Sequence, residues 1–381
     1  MKTVIRFATL VAVLFFAVLA VDVGAASVTN AHTSTPDWMY YLGFSIFGAT
    51  LANNVLTLID WAKRKDPDGK IPEIVEALSK TNPILRDMRW QEGNLEVGHQ
   101  STIRTGLPNV YWRMINQGIP PSKSQVAQVT DMTGMLEAWS EVDSKLVRLG
   151  GNPDALRRSE ASSFIEAMNI EMAETLFYGN SGLAPEEFSG LAPRYSTLSS
   201  TVPNYKNVIS AGGSGSDNTS IWLIVWGDNT IFGIFPKGSK AGLQHEDFGE
   251  VTVEVSAGVG GNRMRAFQER FTWDAGLVLK DWRYVVRIAN IDVSDLAGGT
   301  PADVIKFMTL ATHRIPALGM GTARFYMNRT VAQWLDIQER SAVSTGGGLT
   351  YDNVDGRRVP SFRGIPIEVT DAILDTEAAV V

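Results

Sequence analysis

The residues able to do chemistry in this chain are few and scattered. Its only histidines are His32, His99, His245 and His313, and no two stand at metal-ligand spacing on a helix or turn. Cysteine is absent, which removes disulfides, thiolate metal sites, thiol nucleophiles and iron–sulfur ligation together. Three carboxylates, Glu246, Asp247 and Glu250, follow His245 closely. An acid–base pair there needs a cleft, and the run reads instead as a solvated acidic turn. Gly238-Ser239-Lys240 lacks the order and spacing of a phosphate loop. Gly319-Met320-Gly321 is followed by Arg324 where a dinucleotide fingerprint wants a third glycine. Gly212 to Ser216 is loop on one side and makes no nucleophile elbow. These readings assign no catalytic residue, no cofactor and no metal.

The elements that position these residues follow from composition and period. With 381 residues, 44% hydrophobic and 20% charged, the chain is long and apolar enough for two or three units with a sizeable core. Its formal net charge of −7 leaves no global basic field to gather nucleic acid. Residues 1–26 have the zones of a secretory signal: Lys2 and Arg6, the apolar run Phe7–Val21, and small residues at Val23-Gly24-Ala25. A second uncharged run, Trp38–Ile59, carries Asn53 and Asn54, which weakens a membrane-spanning reading. A helix with Ile71, Ile74, Val75 and Leu78 on one face stops at Asn82-Pro83.

Between 93 and 132 the alternation Val110, Trp112, Met114 predicts a strand. Gln125–Thr130 returns antiparallel to close a long hairpin with little core of its own. Asn152 as cap, Pro153 at the first position and Asp154 open the strongest helix, 153–178, with Ala161, Ile165, Met168, Met172 and Leu176 on its apolar stripe and Gly179 at its end. Ile221–Trp226 and Ile231–Phe235 flank Gly227–Thr230 and predict a buried hairpin. Strands are expected at Val251–Val255, Arg263–Trp273, Leu277–Ile291, Arg324–Met327 and Gly364–Val369. Helices are expected after Thr300-Pro301 and around Val331, Trp334 and Leu335. The irregular alternation argues for α+β.

Several runs look familiar in their order. Leu56–Arg64, Asp66–Lys70, Glu92–Leu95, Ile103–Pro108, Ser140–Asp143, Leu176–Asn180, Gly190–Tyr195 and Asp281–Asp292 resemble a family of tailed-bacteriophage major capsid proteins, from about residue 50 to the C-terminus. The resemblance implies the Hong Kong 97-type capsid fold: an N-terminal arm, an extended hairpin loop, a peripheral domain with a long spine helix, and an axial domain. It places the arm at 49–92 and the hairpin loop at 93–145. The peripheral domain falls at 146–200, joined by strands from 245–291, and the remainder, 201–381, is mostly axial. Residues 1–48 lie outside the fold and read as a signal-like leader, attributed to a start codon placed too far upstream or to a fusion.

The implied function is self-assembly of pentamers and hexamers into an icosahedral head that encloses double-stranded DNA without sequence-specific contacts. Assembly is expected in the host cytoplasm, with scaffold and portal proteins as candidate partners and no functional membrane association. In that fold the hairpin lies across a neighbouring subunit, which makes Tyr111, Trp112 and Arg113 candidate assembly-interface residues. Some relatives cross-link subunits through Lys and Asn; Lys123 lies in the hairpin, but no partner or catalytic carboxylate is identifiable. The alternatives are an encapsulin-like nanocompartment shell and an exported or membrane-anchored surface protein.

Overall fold

The computed structural model describes residues 82–149, 153–254, 263–296, 298, 301–342, 349–354 and 357–381. The expected leader, the helix at 71–78, the cap Asn152 and the end of the strand at Val255 lie outside them. The chain begins with α1 (Ile84–Asp87), β1 (Trp90–Glu92), β2 (Gly98–Gly106), β3 (Gln125–Asp143), α2 (Ser144–Leu149) and the spine helix α3 (Pro153–Tyr178). After α4 (Leu191–Arg194) come β4 (Val208–Ser210), β5 (Asn218–Trp226), β6 (Ile231–Phe235), β7 (Gln244–Glu254), β8 (Arg263–Leu279) and β9 (Val285–Asp292). The last elements are α5 (Val293–Leu296), α6 (Val304–Arg314), β10 (Thr322–Met327), α7 (Arg329–Ala342), β11 (Leu349–Val354), β12 (Arg357–Phe362) and β13 (Ile365–Val369).

The strands form one mixed sheet ordered β11-β12-β13-β10-β5-β6-β8-β3-β2. Off this path, β7 pairs with β8, β9 with β5, β4 with β9 and β1 with β6. This is the α+β architecture that the element pattern predicts.

β5 organises the core. All nine of its residues are buried, so its two faces serve two cores. Trp222, Ile224 and Trp226 pack with Met172, Ala173, Leu176 and Phe177 of α3. Ile221, Leu223 and Val225 face Val304, Met308 and Ala311 of α6 and Val331 and Leu335 of α7. Each fully buried large aliphatic or aromatic side chain contributes about 1.5–3 kcal/mol. At its α6 end Asp303 caps the helix, accepting from the Lys306 amide at 2.9 Å.

The spine helix runs 26 residues as expected, about 39 Å at 1.5 Å per residue. Met168, Met172 and Leu176 of its stripe are buried, whereas Ile165 is exposed. Gly179 ends it where a Cβ would lie 2.6 Å from the carbonyls of Thr175 and Phe188. Only a glycine lets the chain turn back this closely.

Three expectations are corrected. Residues 107–114 form no strand. Their alternation has no partner, since Pro108, Pro120 and Pro121 remove ladder donors on both sides. β5 and β6 are not an antiparallel hairpin: they share the single bridge Trp226↔Ile231, while β5 pairs antiparallel with β9 and β10 and β6 with β8. A strand buried on both faces takes neighbours on both edges, and the buried Thr230 hydroxyl steers the crossing by donating to Val225 O at 2.6 Å. The break expected after Trp273 is absent too. β8 runs to Leu279, and the chain bends at Trp282–Tyr284, capped by Asp281.

Candidate assembly interface

β3 leads two lives. From Thr133 to Asp143 it pairs with β8 inside the sheet; from Gln125 to Met132 it pairs with β2. The second stretch and β2 therefore leave the body as a two-stranded ribbon. Its tip, 107–124, has no regular structure beyond a turn at Ile115-Asn116, and Ser122 Oγ ties it by donating to Asn109 O at 2.7 Å.

This tip gathers Tyr111, Trp112 and Arg113. Trp112 is fully exposed at 103% and Tyr111 half exposed at 50%; Arg113 is exposed. None of the three makes a hydrogen bond or ion pair with another described residue. Leu107, Val110, Met114, Ile115 and Ile119 are exposed beside them. Monomeric proteins seldom present so continuous an apolar surface unless it serves a contact. From Val97 to Thr130 the sequence has no carboxylate but has Arg104, Arg113 and Lys123, on a chain whose net formal charge is −7.

The root of the ribbon is firmly held. Arg194 reaches the buried Asp131 at 2.9 Å and donates to the carbonyls of Ser189, Gly190 and Leu277. The Thr133 amide donates to Val97 O at 3.1 Å. At Gly276 a Cβ would stand 2.8 Å from Met132 O, so the strands cross here only because that residue has no side chain. Sequence reading missed this root. Its one signal is Asp131, the first carboxylate after the acid-free stretch. Beside it His99 stacks edge-on to Phe232 at 5.6 Å, and burial, then Lys280, pushes its imidazole below its ordinary pKa.

The residues around His245 are a strand, not a solvated turn, because each carboxylate finds an arginine. Asp247 meets Arg157 at 2.6 Å, Glu246 meets Arg270 at 2.7 Å, and Glu250 meets Arg148 at 3.0 Å and Arg265 at 3.2 Å. His245 Nε2 lies 2.9 Å from the buried Glu269, which Arg157 also holds, and the imidazole stacks on Phe271 at 4.8 Å. The hydrogen bond from Arg157 holds the Asp247 carboxyl below its ordinary value, and that from Ser144 does the same for Glu250. The cluster pins α3 to the β7–β8 ribbon. Gly319-Met320-Gly321 precedes β10 and packs on Trp226 rather than following a strand into a helix. Among the described residues no group of three His, Cys, Asp or Glu could hold a metal ion. Nor is any described helix long and apolar enough to cross a membrane.

A second buried cluster ties the C-terminal tail. Arg287 Nη2 pairs with Glu377 at 2.8 Å, both side chains 5% exposed. Arg287 also donates to Ser220 Oγ and Tyr195 O at 3.0 Å, and Tyr178 and Ser220 both donate to Glu377. Burial, then the Glu377 charge, pushes the Tyr178 phenol well up. Asn290, at φ 60°, exchanges two hydrogen bonds with the backbone of Val380.

A long spine helix across a mixed sheet, with a ribbon reaching out of it, defines a Hong Kong 97-type shell subunit of a phage capsid. The chain matches the family Major capsid protein GP7 over residues 66–381, and it belongs to that family. A chain of the near-atomic cryo-EM structure of bacteriophage Epsilon15 is 38% identical, with a TM-score of 0.69 over 87% of this chain and 99% of that one. Fainter likenesses reach the capsid of a native GTA particle (8% identity, TM-score 0.41, 57% of this chain and 94% of that one) and the holo-SrpI encapsulin complex of Synechococcus elongatus PCC 7942 (12%, 0.37, 62% and 97%). No curated protein matches the chain. The protein is a phage shell-forming subunit and its place is the virion capsid.

Proposed function

We propose that this subunit builds pentamers and hexamers whose cohesion depends on the ribbon tip, with Tyr111, Trp112 and Arg113 seated on an adjacent copy. The carrying observation is that a fully exposed tryptophan, a tyrosine and five further apolar side chains share one acid-free tip. Aromatic and arginine anchors of this kind typically carry most of a contact's energy. Since the ribbon is basic and the chain as a whole acidic, the surface it meets on another copy is drawn to it electrostatically.

The subunit performs no catalysis in this reading. It encloses double-stranded DNA without reading its sequence, and it assembles in the host cytoplasm, with scaffold and portal proteins as its partners. The division into an arm at 49–92, a hairpin loop at 93–145, a peripheral domain at 146–200 with strands from 245–291, and a mainly axial remainder belongs to the same reading. Electron microscopy of the purified full-length chain tests it: closed icosahedral particles are expected. A well-folded lone monomer with the tip packed on its own body would refute it, and particles filled with a cargo protein instead of DNA would favour a nanocompartment.

A further inference from the structure

One histidine stands at the joint where the ribbon leaves the body. His99 is the cross-strand partner of Asp131, and its imidazole meets the fully buried Phe232 edge-on, the rings at 87°. Lys280 lies over the face of the same phenyl ring, Nζ 4.9 Å from its centroid. It is fixed there by donating to Asp228 O at 2.9 Å. His99 Nδ1 is buried and finds no hydrogen-bond partner among the described residues, and neither do Asp131 Oδ2 and Ser101 Oγ. Buried polar atoms are seldom left so, and three at one joint call for an explanation beyond packing.

The imidazole cannot withdraw from this setting without moving the joint. A Cβ on Gly98 would lie 2.4 Å from Asp131 O, and one on Gly93 would lie 2.5 Å from Gly98 O. Backbone thus packs on backbone immediately beside His99, with no slack to absorb a shift. The charges around the ring are one-sided. Asp131 of β3 is the carboxylate facing it, and Arg194 of α4 already holds one of its oxygens. Lys280, just after β8, is the cation facing it, and Phe232 of β6 is neutral. The carboxylates of the neighbouring turns are held elsewhere, Asp228 by Arg89 at 2.9 Å and Asp281 by Arg283 at 2.7 Å. Two cations therefore share one carboxylate while His99 is neutral, and a protonated ring makes a third. A groove of about 830 Å³, lined by His99, Ser101 and Lys280 among others, opens the joint to solvent.

We infer that His99 is a proton-sensitive brace: neutral, it fixes the ribbon to the body, and protonated, it loosens the joint beside Gly98. The inference concerns motion within one copy and goes beyond the shell-subunit reading. Burial, then Lys280, disfavours the charged ring, so the closed joint binds the proton less tightly than an opened one. The stability this lends the joint is complete above the ordinary imidazole range. It is lost as pH falls through that range to the depressed value of the closed joint.

Amide hydrogen exchange of the full-length protein, held below its assembly threshold, reads the joint through peptides covering the paired stretches Gly98–Ile103 and Ala127–Met132. Protection there, which is corrected for the intrinsic exchange rate, is expected to fall by up to about tenfold per pH unit between the ordinary imidazole range and the depressed value. Protection of β5 in the core is expected to stay constant over the same range. His99→Gln and His99→Phe, the second of which keeps a ring against Phe232, are expected to remove the dependence. Wild-type protection that ignores pH, or a dependence that survives both substitutions, would overturn the inference. Lys280→Met supplies a test that leaves His99 in place. The NMR titration midpoint of the His99 imidazole is expected to rise towards its ordinary value in that variant, and an unmoved midpoint would overturn the arrangement. Particle formation by wild-type protein is scored separately by microscopy, so a failed brace and a failed shell reading are told apart.

Discussion

Truncating Trp112 separates folding from assembly more cleanly than any other change in the ribbon. In the subunit its side chain is fully exposed, so Trp112→Ala removes no intramolecular contact. Surface substitutions of this kind change stability by no more than about 0.5 kcal/mol. Seated on a neighbour, a tryptophan buries roughly 150–250 Å². At about 25 cal/mol per Å² that is worth up to about 4–6 kcal/mol per contact. Anchor truncations commonly cost about 2 kcal/mol or more, which corresponds to roughly thirtyfold in an equilibrium constant. Light scattering against protein concentration gives the assembly threshold, and circular dichroism of the unassembled subunit gives its melting. A threshold raised about thirtyfold beside an unchanged melt is expected. Equal loss of both, or a threshold that hardly moves, would refute the anchor role.

Glu377→Ala strands the buried Arg287 charge and is expected to destabilise the subunit by about 3–5 kcal/mol in urea unfolding. Adding Arg287→Leu should recover part of that, because it removes the orphan. Arg113→Glu should slow assembly in low salt and flatten its salt dependence, read by stopped-flow scattering. Asp247 has its carboxyl pKa depressed by Arg157, so its contribution is present above the ordinary carboxylate range and is lost as pH falls through the depressed value. Hydrogen exchange should therefore show β7 loosening from α3 on acidification, and Asp247→Asn should weaken that pH dependence, with Glu250 supplying what remains.

How much of this was legible in the sequence varied by element. The spine helix was, because Pro153, the steps of three and four, and Gly179 agree with one another locally. The return strand at Gln125–Thr130 was as well. Val110–Ile115 misled, since alternation reports that two faces differ but not that a partner strand exists. The gap expected between Trp273 and Leu277 is instead a crossing point at Gly276, a distinction that depends on Met132 from another strand. His245 looked solvated because Arg157 and Glu269, which hold its neighbourhood together, lie 90 and 112 residues apart in their contacts along the chain. Tyr111, Trp112 and Arg113 were singled out by residue type alone, and their exposure at a ribbon tip could come only from the fold.

The braced root of the ribbon makes it a lever. Nine residues of β2 at roughly 3.4 Å each span about 30 Å from the Arg194–Asp131 pair outward. Any tilt where Gly276 passes Met132 would be magnified at the far end. In the proposed assembly, that reach would let one stiff building block meet companions set at different angles.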